Sequence, residues 1–336
     1  MDSKSNRLIF PDAIAAIGIL FVVLSHLQFQ SDRNIELMFR DFIPASLGNI
    51  GVLFFFTRSG YLLYHSKKNS WRAFYKKRIL KIIPALFVFT TITVLISLLI
   101  FNRVIFLKDG KISLKIFFAN SFGIQHLLNI DGLNGSTWFI SVILLFYLFF
   151  PLIVWLVNKN MKSIIPLLLL IIMLFALSKA RIFSQSHLSL LYYYFILFIS
   201  GVLFAKYENY IIKIKYFKTF STILFFYALF YFYLMIKEIF FFEEAQQLII
   251  IRRIIDALLT LVSFYLFSKI NYSNLASKIF TFTADYSYYI FIVHFPIFIF
   301  LGNLNNIALY FALFFIIAAF SCIFLRFFDN LMKKSV

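Results

Sequence analysis

The sequence predicts an all-α, polytopic integral membrane protein with about ten transmembrane helices in one bundle. Three observations carry this. Of 336 residues, 62% are hydrophobic and only 14% charged, where a soluble domain carries roughly a quarter charged. The apolar residues fall in runs of about 17–25, the length that crosses a hydrocarbon core as a helix. Gly and Pro punctuate the runs, with Pro84 and Pro151 near helix termini and Gly302 closing a run. A secreted, disordered or cytosolic chain is excluded by this composition.

The spans fall near residues 9–30, 43–65, 79–101, 138–158, 163–179, 189–205, 219–236, 248–268, 286–302 and 306–325. The first follows Lys4 and Arg7, as a signal peptide would. It outruns a signal core, however, and ends at His26-Leu27-Gln28-Phe29-Gln30 without a small-residue cleavage pattern, so it reads as a retained span. A basic segment, 66–81, separates the second span from the third. The longest connection, 102–137, carries Phe117, Phe118, Leu127 and Leu128, which suit a loop dipping into the membrane interface. Outer-membrane strands would need only about ten alternating residues each, so helices are favoured. Lys and Arg concentrate in the segments placed inside when the N-terminus is inside, which puts both termini in the cytoplasm. No linker interrupts the chain, and residues 1–336 read as one membrane domain.

The net charge of +18 comes from 32 Lys+Arg against 14 Asp+Glu. Because these residues sit mainly in short loops between apolar runs, they imply membrane lipid and topology rather than nucleic acid. The one cysteine, Cys322, lies inside an apolar run, so neither a disulfide framework nor a metal site is indicated.

Polar groups inside apolar runs are costly and mark candidate functional positions. Asp12 opens the first span and His26 lies near its end; at 100° per residue they return to within roughly 40° of one face. His26 suits a general base, since an unperturbed imidazole titrates near 6.5. The alternatives are a helix-capping Asp12 and an interfacial His26. Arg58 sits about nine residues, or about 13 Å, from the basic segment at Lys67 and requires an anion, either a side chain or a ligand phosphate. Arg252 and Arg253 can each pair with Asp256 along their helix, leaving one arginine for an anionic sugar or lipid phosphate. The basic segment Lys67, Lys68, Arg72, Lys76, Lys77, Arg78 and Lys81 suits anionic headgroups or a polyphosphorylated ligand such as coenzyme A. Ser287 and His294 fall within about 20° of one helical face, as a hydroxyl-lined cavity or a satisfied core histidine.

Five segments occur in an order that resembles the membrane-bound acyltransferase 3 family. They are Pro11-Asp12 to Ile17 with Val23-Leu24-Ser25-His26; Gly51 to Tyr61; Phe74-Tyr75-Lys76-Lys77-Arg78 to Leu86; Trp138 to Ser141 with Phe146 to Pro151; and Tyr286-Ser287-Tyr288 with His294. The third reads Arg78-x-x-Lys81 where the family has Arg-x-x-Arg. Two positions depart: Ala15 stands where members usually have an arginine, and Ile143 where many have a glutamate. Arg58, on the neighbouring antiparallel helix, is positioned to supply the missing charge.

The resemblance implies an O-acyltransferase of the bacterial cytoplasmic (inner) membrane that moves an acyl group, expected to be acetyl, from cytoplasmic acyl-CoA. The co-substrate would be acetyl-CoA, with no permanently bound cofactor. The acceptor would be a hydroxyl of an envelope, O-antigen, lipopolysaccharide or capsular glycan, or its lipid-linked precursor. It assigns catalysis to His26 and Asp12, joined by Arg58 in place of the missing arginine, donor phosphates to Arg78, Lys81 and Lys77, and the substrate lining to Trp138, Ser287 and His294. Two other readings stand beside it. One is a transporter or flippase, whose usual internal repeat is not evident here; the other is a catalytically silent relative, motivated by Ala15.

Overall fold

The computed structural model describes residues 7–26, 46–66, 70–158, 172, 191–211, 213, 216–236, 246–302, 304 and 306–334. Among these, regular structure is entirely helical. The helices are α1 (Phe10–His26), α2 (Ser46–His65), α3 (Trp71–Phe101), α4 (Leu114–Ser121), α5 (Trp138–Asn158), α6 (Leu191–Ile211), α7 (Phe217–Ile236), α8 (Gln246–Phe267), α9 (Asn274–Leu301) and α10 (Ile307–Lys334). Among the described residues, four stretches, Trp71–Phe101, Trp138–Asn158, Asn274–Leu301 and Ala308–Met332, are long and apolar enough to cross a membrane. The span expected at 163–179 lies outside the described residues, apart from Ile172.

Helix starts follow capping chemistry more closely than hydropathy. The basic segment is not a loop beyond Ser70: the Ser70 hydroxyl accepts from the Ala73 N–H and starts α3 eight residues before the expected span. Ser273 caps α9 through the Ala276 N–H, well upstream of residue 286. Ser113 and Asn306 begin α4 and α10 in the same way. At the first helix, Pro11 occupies a position whose N–H has no helical acceptor, and Asp12 lies in the first turn.

The chain forms two compact units. The first comprises residues 1–65 and 197–287, and the second residues 66–196 and 288–336. In the first, α1 packs on α2 and α8, and α8 on α2 and α7. Lipid offers no hydrophobic drive for helix association, so close backbone approach matters more. A Cβ on Gly51 would overlap the Gly18 carbonyl, and one on Gly201 would overlap the Thr57 carbonyl. These contacts fix α1 against α2 and α2 against α6. Phe10, Ile14, Phe54, Tyr61 and Phe264 fill the space between, with Tyr61 edge-on to Phe10 and Phe264 at 5.1 and 5.4 Å.

In the second unit, α3 packs on α4, α5 and α10. The connection between α3 and α5 is folded. Val94, Val104, Leu107 and Leu133 form its core, and Asn120 bridges to the carbonyl of Asp131 and the N–H of Leu133. Phe118 and Leu128, expected to face the interface, are exposed at 45% and 53%.

Candidate active site

The first unit brings Asp12 and Arg58 together. Arg58 Nη2 lies 3.2 Å from Asp12 Oδ1, and its Nε donates to the Pro11 carbonyl at 2.6 Å. The guanidinium thus grips the first turn of α1 by one carboxylate and one backbone oxygen. Ala15, fully buried, follows Pro11 by one turn, about 6 Å along the axis. Arg58 therefore brings a positive charge to within a turn of the position where the family resemblance leads one to expect an arginine.

Asp12 is 3% exposed and carries more than this pair. Arg7 Nε donates to Asp12 Oδ2 at 2.5 Å, and Arg7 Nη2 reaches Asp285 Oδ1 at 2.8 Å. Thr281 adds a hydroxyl at 3.4 Å. Burial, the largest single influence on Arg7, works against its charge, but the bonds to Asp12 and Asp285 outweigh it and hold its pKa above the ordinary value. Two arginines and two aspartates give a balanced cluster that joins α1, α2 and the start of α9. Sequence spacing supplies Asp12 and Arg58; Arg7, Thr281 and Asp285 have no periodic relation to them.

His26 lies at the opposite end of α1 from Asp12. Its Nδ1 is 2.8 Å from the Val22 carbonyl. A carbonyl only accepts, so Nδ1 is the protonated nitrogen, and Nε2 of the neutral ring holds the lone pair. The neighbouring Ser25 hydroxyl donates to the same Val22 carbonyl at 2.8 Å, and a Cβ on Gly48 would overlap that hydroxyl, so α1 and α2 remain in contact to this level. One residue on, Asn49 Nδ2 donates to Asp256 Oδ2 at 2.8 Å. Sequence spacing pairs Asp256 with the arginines of its own helix; in the structure the buried carboxylate also bonds across to α2. The Arg252 side chain lies outside the described residues.

The second unit holds the basic motif. The Arg78 guanidinium stacks near the rings of Phe74 and Tyr147, 5.6 and 5.7 Å from their centroids. Its Nε is buried and makes no hydrogen bond among the described residues. Lys77 and Lys81 are exposed on the same two turns. On residues 288–301 of α9, Tyr288 donates to the Ile82 carbonyl and Tyr289 to the fully buried Asp329, each at 2.7 Å.

The remaining sequence candidates have local partners. Trp138, half-buried at the start of α5, packs on Tyr194 at 5.3 Å. His294 is fully buried between Phe291 and Phe298, with Nδ1 3.1 Å from the Ile290 carbonyl. Ser287 donates to the Ala284 carbonyl at 2.8 Å in the first unit. A feature the sequence reading missed surrounds Pro296. Proline has no N–H for the Ile292 carbonyl four residues back. Asn134 Nδ2 supplies the donor at 2.7 Å, while its Oδ1 accepts from the Ser136 N–H and hydroxyl. Ser136 in turn reaches the Phe291 carbonyl at 3.2 Å. The loop is thus built into the broken turn of α9, which rises past His294.

Buried polar and charged side chains on long apolar helices are what a polytopic membrane protein carries. Residues 8–327 match the family model described as an acyltransferase domain, and the chain belongs to the acyltransferase 3 family. No curated protein and no solved structure matches it.

Proposed function

We propose that this membrane acyltransferase is an O-acyltransferase that moves an acyl group, acetyl by expectation, from acyl-CoA to a glycan hydroxyl. The observation that carries the reading is the His26 ring. With Nδ1 donating to Val22, Nε2 can take the proton of an acceptor hydroxyl. That oxygen attacks the thioester carbonyl, the C–O bond forms, the C–S bond breaks, and the proton leaves His26 for the departing thiolate. Arg58 and Asp12 act together: the arginine supplies positive potential near the first turn of α1, and Asp12 holds its fork in place. Arg78, with Lys77 and Lys81, binds the donor phosphates. Trp138, Ser287 and His294 are assigned to the substrates by the family resemblance alone.

The acceptor in this reading is an envelope, O-antigen or capsular glycan, or its lipid-linked precursor. The enzyme is a bundle of about ten spans in a bacterial inner membrane, with both termini cytoplasmic. No metal or permanently bound cofactor takes part. One observation favours a second reading, a catalytically silent relative: Ala15 is an apolar, fully buried residue where members usually have an arginine.

Mass spectrometry of envelope glycans from cells expressing the wild type or His26→Ala, before and after mild base, tests the proposal. A base-labile mass increment found only with the wild type supports ester transfer and names the acyl group. Identical profiles, with both proteins confirmed in the membrane and an acceptor present, favour the silent or transport reading.

A further inference from the structure

The first unit contains a partly open groove of about 360 Å³ that the acyltransfer reading does not use. Residues of α2, α6, α7 and α8 form its walls, among them Thr57, Phe204, Tyr207, Phe220, Leu258 and Tyr265. The lining is almost wholly apolar, as suits a hydrocarbon chain. One lining residue breaks the pattern. Thr57 is fully buried, and its hydroxyl has no hydrogen-bond partner among the described residues. A helical threonine ordinarily satisfies itself on the carbonyl a turn back, so an unused donor lies behind this wall.

Charge distinguishes one end of the groove. Lys206 Nζ packs 4.8 Å from the ring centroid of Tyr207, a lining residue. Lys213 and Lys218, both exposed, flank the lining residues Ile211 and Phe220. The acidic residue of this turn, Glu208, is engaged elsewhere: it accepts from Tyr61 at 3.1 Å and lies 3.7 Å from His65 Nε2. The rim is therefore cationic. Basic pockets between membrane helices recognise anionic headgroups in this way.

We propose that this groove is a binding site for an anionic bilayer phospholipid. The headgroup phosphate sits at the rim of Lys206, Lys213 and Lys218, and an acyl chain lies along the apolar walls. Because Thr57 directly precedes Arg58 on α2, the bound lipid buttresses the helix that presents Arg58 to Asp12. The site stands whether or not acyl transfer occurs.

The test uses the purified full chain exchanged into vesicles of phosphatidylcholine alone, or of phosphatidylcholine with phosphatidylglycerol. Lipid retained after detergent extraction is then read by native mass spectrometry. The wild type is expected to retain phosphatidylglycerol preferentially. Replacing Lys206, Lys213 and Lys218 by Gln together should reduce that preference, by about fivefold for each lysine that touches the headgroup. Leu258→Trp should abolish retention by filling the groove. Should Leu258→Trp not fold, the surface lysine variant carries the test alone. The proposal is overturned if the lysine variant retains phosphatidylglycerol as the wild type does, or if the wild type retains both lipids equally. It is also overturned if a polyprenyl phosphate at equal concentration displaces the phosphatidylglycerol, which would make the groove a site for a lipid-linked sugar.

Discussion

Asn134 offers the sharpest test of how the second unit is held together. The residue is 6% exposed and supplies the donor that Pro296 denies to the Ile292 carbonyl. Asn134→Ala strands that carbonyl and also leaves the Ser136 N–H without its acceptor, since Asn134 Oδ1 is 3.0 Å from it. A buried polar group that loses its partner costs about 1–3 kcal/mol, so two such groups cost roughly 2–6 kcal/mol. For a chain of this size that lowers the melting temperature by roughly 3–9 °C. The decisive arm is the double variant. Pro296→Ala restores an N–H four residues after Ile292, and the carbonyl regains a helical donor. The cost of Asn134→Ala should then fall by the share belonging to Ile292, about 1–3 kcal/mol. Thermal unfolding of the four proteins in one detergent, followed by tryptophan fluorescence, gives the coupling directly. If Asn134→Ala lowers the melting temperature equally in the wild-type and Pro296→Ala backgrounds, the capping argument is refuted.

Arg58→Ala should destabilise the first unit by about 3 kcal/mol, because it removes a partner from a buried carboxylate, and should abolish transfer. Arg58→Lys keeps the charge but loses the fork that spans Pro11 and Asp12, and should recover stability better than activity; intact transfer in Arg58→Ala would disprove its compensation for Ala15. Gly201→Leu should separate α2 from α6 at Thr57 and cost at least about 3 kcal/mol through overpacking, seen as early melting or loss from the membrane fraction. Arg78→Ala should raise the KM for acyl-CoA by tenfold or more with a smaller fall in kcat, the pattern of a lost binding contact.

The apolar runs themselves make the helices legible, because a span must be long and hydrophobic whatever it packs against. The run near residues 138–158 coincides with α5, Trp138–Asn158. The starts of α3 and α9 do not coincide with theirs, because hydropathy follows the buried length while Ser70 and Ser273 set the first turn. Asp12 and Arg58 stood out because each is costly inside an apolar run, and they meet. Their companions Arg7 and Asp285 did not, since Arg7 precedes α1 and Asp285 borders the span expected at 286–302, where charge is unremarkable, and their contact joins distant parts of the chain. Asn49 with Asp256 was hidden for the same reason. The Asn134 contact was half visible: Pro296 in a helix announces an orphan carbonyl at Ile292, and sequence order alone does not say which loop answers it.

The central claim is that His26 takes a proton during acyl transfer from coenzyme A. The most direct measurement is release of free coenzyme A thiol by purified wild type and His26→Gln in proteoliposomes, with acetyl-CoA and an envelope glycan fraction. The account predicts acceptor-dependent thiol release by the wild type and at least a hundredfold less from His26→Gln, with both proteins melting alike. Equal release by the two proteins, or no release from the wild type while the glycan fraction still binds, would contradict it.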